Sequence, residues 1–460
     1  MPIKTTVRKI ALIESKAVQT HVFSRKYSPR LGLPILSGLL RKEGFEVELF
    51  FQELQPLDFD HLMTFDMVGI SALTSTVKEA YRVGAILKGK GQTVVMGGPH
   101  ASAKADEALE HCDYIVRGEG EASFLELLNA INQNAPLANV PGISYRENGQ
   151  IFHNNSSTTK VDMKELPGND FSACKVYSNP KDHPGGIMFS RGCPYDCNFC
   201  SVTTTFGRKY RYKATQQIIE ELRPFSGRAV GFIDDNFAAN PKKTKELLKA
   251  MLEQKVIPSR YSCQIRVNAA GDEELLDLMR LTGCRVANVG LESVNPETLK
   301  NYHKGQTYEQ IVSAIKAFQK YGIGLHGMFV LGSDVDTPDT IKETVNFAID
   351  IGIDTIQLCA LTPFPGTAVH DQMLAEGRIL HTNWEMYDGL HVAVRPKLMT
   401  PYELQTGIVR EMKRFYSIKH SFNIDLQKRW RFWSRLVGWY LVKKWDEENA
   451  EYYEYLKTVS

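Results

Sequence analysis

The chain has no stretch approaching the roughly 18 apolar residues of a spanning helix. Its first residues, Met-Pro-Ile-Lys-Thr-Thr-Val-Arg-Lys, lack the apolar core of a signal peptide. A cytoplasmic setting is expected. An excess of one charge is also missing: 55 Lys and Arg stand against 53 Asp and Glu, interspersed, for a net +2. That balance gives no reason to expect nucleic acid as a partner. Low-complexity tracts are absent, and no G-x-G-x-x-G follows the first strand-like run, which argues against NAD. Cysteine is sparse, eight in 460 residues. Cys112, Cys174, Cys263, Cys284 and Cys359 are scattered without pairing rhythm and are expected as reduced core residues. A second metal centre built from them would need closer spacing.

The other three cysteines sit together. Arg191 to Cys200 reads Arg-Gly-Cys-Pro-Tyr-Asp-Cys-Asn-Phe-Cys and places Cys193, Cys197 and Cys200 in a C-x3-C-x2-C run. Three thiolates on one tight loop can converge on a single inorganic site. A 4Fe-4S cluster held by three cysteines keeps one iron without a protein ligand. Structural zinc would want a fourth Cys or His, and His183 and Cys174 lie upstream without paired spacing. Simple burial as small hydrophobes conflicts with Arg-Gly before the run and Pro-Tyr-Asp within it, which spell an exposed loop.

With 43% hydrophobic and 23% charged residues, 460 residues should divide into two or three domains. Apolar runs at 8–14, 47–51, 67–73, 93–97 and 113–116 alternate with helix-like segments at 33–42, 77–88, 103–111 and 122–131, the rhythm of an open, doubly wound parallel sheet. Such sheets bind ligands at the carboxyl ends of their strands. Here those ends carry Ser71 to Thr76, Gly97-Gly98-Pro99-His100 and Gly118-Glu119-Gly120-Glu121. Glycines there admit a close ligand, and a helix N-terminus can face a phosphate. The bland alternative is a sheet that has lost its ligand and serves as a docking platform. His100, beside Gly-Gly-Pro, is a candidate contact or ligand, though a loop histidine of this kind is more often structural.

Asn148-Gly149 between alternating apolar residues signals a hairpin. The polar stretch 154–160 and Leu166-Pro167-Gly168 mark a boundary. The βα rhythm then restarts with strands at 187–190, 229–233, 261–266, 285–291, 325–331 and 355–361. Helices are expected between them, at 215–222, 243–252, 273–281, 308–320 and 338–351. Six repeats are too few for a closed eight-fold barrel. Boundaries fall at 1–140, 141–183, 184–376 and 377–460, the last region helical.

The cysteine loop resembles the signature of the radical S-adenosylmethionine (radical SAM) superfamily. In that family the open iron chelates SAM, and electron transfer from the cluster cleaves SAM to a 5'-deoxyadenosyl radical. The first region resembles the cobalamin-binding domain of one large branch, through Leu31-Gly32-Leu33-Pro34-Ile35-Leu36, Leu40-Arg41-Lys42-Glu43-Gly44, Ser71-Ala72-Leu73-Thr74, Gly97-Gly98-Pro99-His100-Ala101 and Gly118-Glu119-Gly120-Glu121. The resemblance implies a Rossmann-like cobalamin-binding domain, then a partial (βα)6 barrel with the cysteine loop after strand one. Cobalamin contacts are expected from Ser71, Leu73, Thr74, Gly97, Gly98, His100, Gly118, Glu119, Gly120 and Glu121. No Asp-x-His-x-x-Gly is present, so cobalamin is expected base-off without a histidine from that motif.

Strand ends of the barrel supply the SAM candidates by the same resemblance. Asp234 and Asp235 match the segment near the SAM amino group, although adjacent carboxylates can also cap a helix. Gln264 and Arg266 are a plausible pair for ribose or carboxylate, and Glu292 matches a SAM contact. Gly332 closes the adenine-side strand, and Thr362-Pro363-Phe364-Pro365-Gly366-Thr367 is common in the cobalamin-bearing branch.

After the barrel, 383–401 resembles an extension found in cobalamin-dependent members, some of which act on lipids. Pro401 suits the first turn of a helix. Over 428–444, Lys428, Arg431, Arg435 and Gly438 form a polar stripe on an otherwise aromatic and aliphatic helix, which would pack on the barrel or a second subunit, or lie on an anionic membrane.

The expected activity is radical SAM chemistry in which methylcobalamin delivers a methyl group to an unactivated carbon. Cyclisation, rearrangement or oxidation with the same cofactors is the alternative. A methylthiotransferase would bring three more cluster cysteines in its first domain, where this chain has only Cys112, and a non-catalytic cofactor sensor would leave SAM uncleaved. Expected partners are a small or lipid-like substrate and a reductant such as flavodoxin or ferredoxin.

Overall fold

The computed structural model describes residues 6–17, 28–155, 161–417 and 429–460. They form two compact units. The first comprises 6–17, 28–155, 161–186 and 211–217, and the second 187–210, 218–417 and 429–460.

In the first unit, β1 (Lys9–Glu14), β2 (Glu46–Phe51), β3 (Met67–Ser71), β4 (Val94–Gly97) and β5 (Tyr114–Val116) run parallel in the order β2-β1-β3-β4-β5. Ile10 to Glu14 and Met67 to Ile70 are buried without alternation, as a sheet covered on both faces requires. Helices α1 (Gly32–Lys42), α2 (Val77–Gly89) and α3 (Gly120–Asn132) provide that cover. The helix expected at 103–111 is two short turns, Pro99–Ala103 and Ala105–Ala108, broken where Lys104 leaves the helical region at φ −125°, ψ 51°.

The hairpin expected as part of a linker is instead the edge of this sheet. β6 (Ile143–Glu147) pairs antiparallel with β5, and β7 (Gln150–His153) with β6, around Asn148 and Gly149 at φ 49° and 81°. The following segment packs back on the same unit, with Phe171 against Phe51 and Asp170 2.7 Å from Arg41 of α1. The unit therefore runs on to residue 186 rather than ending near 140, because the hairpin completes backbone pairing that β5 would leave open.

The second unit is a six-stranded sheet of β8 (Gly186–Ile187), β9 (Ala229–Phe232), β10 (Arg260–Ile265), β11 (Cys284–Glu292), β12 (Gly324–Leu331) and β13 (Thr355–Ala360), ordered β13-β12-β11-β10-β9-β8. Neighbours from β9 to β13 are parallel. Helices α4 (Thr215–Leu222), α5 (Pro241–Glu253), α6 (Glu273–Leu281), α7 (Tyr308–Lys320) and α8 (Pro338–Asp350) connect them, so the βα order and the six-fold count agree with expectation. On β12 and β13 burial alternates. Leu325, Phe329, Ile356 and Leu358 are buried, whereas His326, Met328, Val330, Gln357 and Cys359 keep accessible surface, as on a barrel wall with a packed outer face and an open inner one.

The C-terminal helices α9 (Pro401–Phe415), α10 (Arg429–Glu448) and α11 (Ala450–Val459) belong to this unit rather than to a domain of their own. Thr400 and Glu403 form a capping box ahead of Pro401. Of the expected polar stripe, Lys428 and the Arg431 side chain lie outside the described residues. Arg435 is buried, lies over the Phe415 ring at 4.6 Å, and donates to the carbonyls of Asp354 (3.0 Å) and Ile353 (2.9 Å) at the start of β13. Trp433, Val437 and Tyr440 are exposed on the same helix. Among the described residues no helix is long and apolar enough to cross a membrane.

Candidate functional site

Each unit has its own candidate site at the carboxyl edge of its sheet. In the first, the chain leaves β1 toward β2 on one side and later continues from β3 toward β5 on the other, so the switch point lies between β1 and β3. Ser15, just past β1, donates from its amide (3.3 Å) and its hydroxyl (3.2 Å) to the carbonyl of Ser71, and its hydroxyl also reaches Thr76 Oγ1 at 3.1 Å. Arg30 lies 3.3 Å from Glu14 and donates to the same Ser71 carbonyl. Thr74 is buried, while the Leu73 side chain is exposed. Ser15 and Arg30 were not singled out by motif, since a lone serine or arginine after a strand has no distinctive spacing.

Gly97 ends β4, and Gly98 at φ +100° turns the chain. A Cβ at Gly98 would come within 2.4 Å of the Ala72 carbonyl, so only glycine fits there. Gly118 donates to Ser102 Oγ at 2.9 Å, and nothing lies within 4 Å of where its Cβ would stand.

The α3 N-terminus begins with acidic residues. Glu119 precedes Gly120 and pairs with Arg211 (Oε2–Nη1 2.9 Å) inside the unit, and Glu121 is buried in the first turn. The His100 ring is buried against Tyr81, with Glu107 3.7 Å from Nε2.

In the second unit, the loop after β8 carries the three cysteines. Gly192 at φ +86° starts it, and a Cβ there would meet the Lys209 carbonyl at 2.6 Å. Cys200 N donates to the Cys197 carbonyl at 3.1 Å, closing the turn between the second and third thiols. All eight cysteines are free thiols. Burial pushes the Cys200 thiol up to about 12 and raises Cys193, against the lowering charge of Arg266. Among the described residues no three His, Cys, Asp or Glu side chains form a group for a metal ion. Mononuclear zinc would draw its ligands to one point, whereas a cluster spreads three sulfurs over three irons.

Around this loop stand the other candidates. Asp234 is buried and accepts from Ser190 N at 2.5 Å, from the Ser190 hydroxyl and from Phe189 N at 3.3 Å. Burial holds its carboxyl up at about 7 despite those bonds. It is an internal brace. Asp235 keeps accessible surface and is raised to about 6 by burial, with Arg191 opposing. Neither caps the following helix, because Asn240 does so by accepting from Lys243 N. Gln264 is exposed on the inner face and donates to the Asp235 carbonyl at 3.2 Å.

Glu292 sits at a β-bulge with φ +61°, a left-handed conformation costly for a non-glycine residue and often held at functional positions. Its Oε1 accepts from buried Lys304 at 2.6 Å. Gly332 N donates to Asp336 Oδ2 at 3.0 Å, shaping the end of β12. Arg266, expected near the ribose or carboxylate of SAM, lies beside the cysteine loop, with Nη1 3.7 Å from Cys197 Sγ.

The profile of the Radical SAM superfamily matches residues 187–348, and that of the B12 binding domain matches 24–128. An uncharacterised methyltransferase of Pyrococcus horikoshii is 30% identical over 408 residues, 84% of this chain and 88% of that protein. The chain is a cobalamin-dependent radical SAM enzyme. Bacteriochlorophyllide d C-12(1)-methyltransferase of Chlorobaculum tepidum is 29% identical over 78% of this chain and 76% of that protein. The fold also matches the cobalamin-dependent radical SAM enzyme OxsB at TM-score 0.73, over 99% of this chain and 76% of that one at 18% identity. The radical SAM methyltransferase TsrM of Kitasatospora setae matches at 0.69, over 81% and 75% at 19% identity.

The donor sets fit the three cofactors of this family, a 4Fe-4S cluster, SAM and cobalamin. Cys193, Cys197 and Cys200 offer three free thiols on one loop. Asp235 and Gln264 keep accessible surface at the end of their strands, Gly332 is buried against Leu404, and nothing lies within 4 Å of where a Gly118 Cβ would stand on the edge of the first unit.

Proposed function

We propose that this enzyme transfers a methyl group to an unactivated carbon of a largely apolar substrate. The observation that carries the reading is the presence, in one chain, of the three-thiol loop and the cobalamin-type sheet, together with a relative named a methyltransferase that aligns along 84% of the chain. When bound, SAM on the cluster supplies a substrate radical by hydrogen abstraction, and methylcobalamin supplies the methyl group.

The chain's own residues bind, orient and exclude water. Cys193, Cys197 and Cys200 would hold the cluster, and Asp235, which keeps accessible surface and has no cation paired with its carboxyl among the described residues, could accept from an ammonium group as a carboxylate. Ile233, half exposed, and Met328, partly accessible on β12, offer apolar surface for a substrate skeleton. The hopanoid C-2 methylase of Rhodopseudomonas palustris and the bacteriochlorophyllide enzyme carry substrate names of that apolar kind. A reductant of the flavodoxin or ferredoxin class in the cytoplasm is part of this reading, supported by eight unbridged cysteines.

A second reading is ring formation without methylation, favoured by the anaerobic magnesium-protoporphyrin IX monomethyl ester cyclase of Rubrivivax gelatinosus, 26% identical over 87% of this chain. Product mass decides. With SAM, methylcobalamin, reductant and an apolar candidate substrate, a gain of one methylene equivalent is expected, and loss of hydrogen or gain of oxygen without added carbon would replace methylation with the second reading.

A further inference from the structure

Arg266 follows β10 and is 7% exposed. Its guanidinium has three engagements. The carbon of the group lies 3.7 Å above the centroid of Tyr195, a residue of the cysteine loop. Nη1 donates to Cys197 Sγ at 3.7 Å, and Nη2 donates to the carbonyl of Lys304. A guanidinium has five N–H donors fixed in one plane and stays protonated, so stacking by one face and donation from two edges fix it fully.

The charge is also unbalanced. Lys304 spends its ammonium on Glu292 at 2.6 Å, and Arg208 pairs with Asp196, whereas Arg266 has no carboxylate partner among the described residues. No carboxylate pairs directly with the cation beside Cys197, although Asp235 acts on Cys193 and Cys200 in the opposite sense, and Tyr195 shields the guanidinium from water. Buried charges are screened far less than exposed ones.

We propose that Arg266 sets the reduction potential of the iron-sulfur cluster held by Cys193, Cys197 and Cys200, and is not a SAM ligand. The inference rests on the family assignment and holds whether the product is methylated or cyclised. In the loaded enzyme the Cys197 sulfur is a thiolate, and N–H donation from a cation to it is charge-assisted. Hydrogen bonds to sulfur and nearby positive charge favour the reduced cluster, which carries one more negative charge. The single electron comes from a low-potential donor of the flavodoxin or ferredoxin class. No proton moves and no bond is made or broken at Arg266, whose role is to make that electron easier to accept.

The test uses the full chain, reconstituted anaerobically with iron and sulfide and titrated with dithionite, without SAM, cobalamin or substrate. The reduced cluster is followed by electron paramagnetic resonance. At the wild-type midpoint, Arg266→Gln with unchanged iron content should show a reduced-to-oxidised ratio about tenfold lower, equivalent to about 59 mV for a one-electron couple. Arg266→Lys keeps the charge but not the planar fork and should fall between. SAM affinity, read from the change in the spectrum on adding SAM, should be the same in wild type and Arg266→Gln. An unchanged midpoint with weakened SAM binding would make Arg266 a SAM contact and overturn the proposal. Loss of iron in both variants would overturn it as well, by making the residue a scaffold for the loop.

Discussion

The two units build their ligand edges in opposite ways. In the first, the edge is shaped by missing side chains: Gly98 fits only because it has no Cβ, and the space beside Gly118 is open. In the second, it is shaped by buried charged side chains held by distant partners: Arg266 on Cys197, Lys304 on Glu292, and Asp234 on Ser190. A large, mostly neutral macrocycle needs room and backbone groups, which glycine supplies. One-electron chemistry needs fixed charges at fixed distances, which only braced side chains supply. Disturbing one edge should therefore leave the other cofactor in place.

The largest effect expected comes from removing both kinds of edge in turn. Cys193→Ala/Cys197→Ala/Cys200→Ala should take iron from about four per chain to none and abolish SAM cleavage while cobalt is retained. Gly98→Val, which drives a branched side chain at the Ala72 carbonyl, should do the reverse, with cobalt lost and iron kept. Metal analysis after anaerobic purification from cells supplied with cobalamin reads both. Loss of both metals in either variant would show that the two edges are not independent.

Next in size is Arg435→Ala. This buried guanidinium holds two carbonyls at the start of β13, so its loss leaves Asp354 and Ile353 short of a donor and should cost about 2–3 kcal/mol. Hydrogen exchange should show lost protection across β13, α9 and α10, with the first unit unchanged. An effect spread evenly over both sheets would break the comparison.

The same contrast explains what could be read from the sequence. Strands and helices followed from periodicity, because a sheet covered on both faces leaves continuous apolar runs such as Met67 to Ile70 and a barrel wall leaves alternation. Cys193, Cys197 and Cys200 stood out by spacing and the glycine turns by position, both local signals. Arg266 was legible as a polar residue at a strand end, but its role was not, because Cys197 lies 69 positions away and the Lys304 carbonyl 38. The pairing of Glu119 was hidden for the same reason, with its partner Arg211 92 positions on. The hairpin was legible as a hairpin, and only pairing with β5 showed which unit owns it.

The smallest effect is one of sign. Burial alone would push His391 down, but Asp388 at 2.9 Å and Asn449 at 2.8 Å more than offset it, so its value lies above an ordinary histidine's. The second unit binds that proton more tightly folded than unfolded. This contribution is complete below the unfolded value, about 6.5, and is lost as pH rises through the folded one. In the first unit His111, stacked on Tyr81 at 4.3 Å, is lowered by burial. There the unfolded chain binds the proton more tightly, so stability is full above about 6.5 and declines as pH falls toward the folded value. Hydrogen-exchange protection followed from about pH 5.5 to about 8 should therefore fall in the second unit as pH rises and fall in the first as pH drops. His391→Gln should lessen only the former slope, to which Asp234 and Asp235, raised to about 7 and about 6, contribute with the same sign, and His111→Gln should lessen only the latter. Parallel slopes in the two units would mean that other groups set the pH response, and the contrast between the units would then stop at their ligand edges.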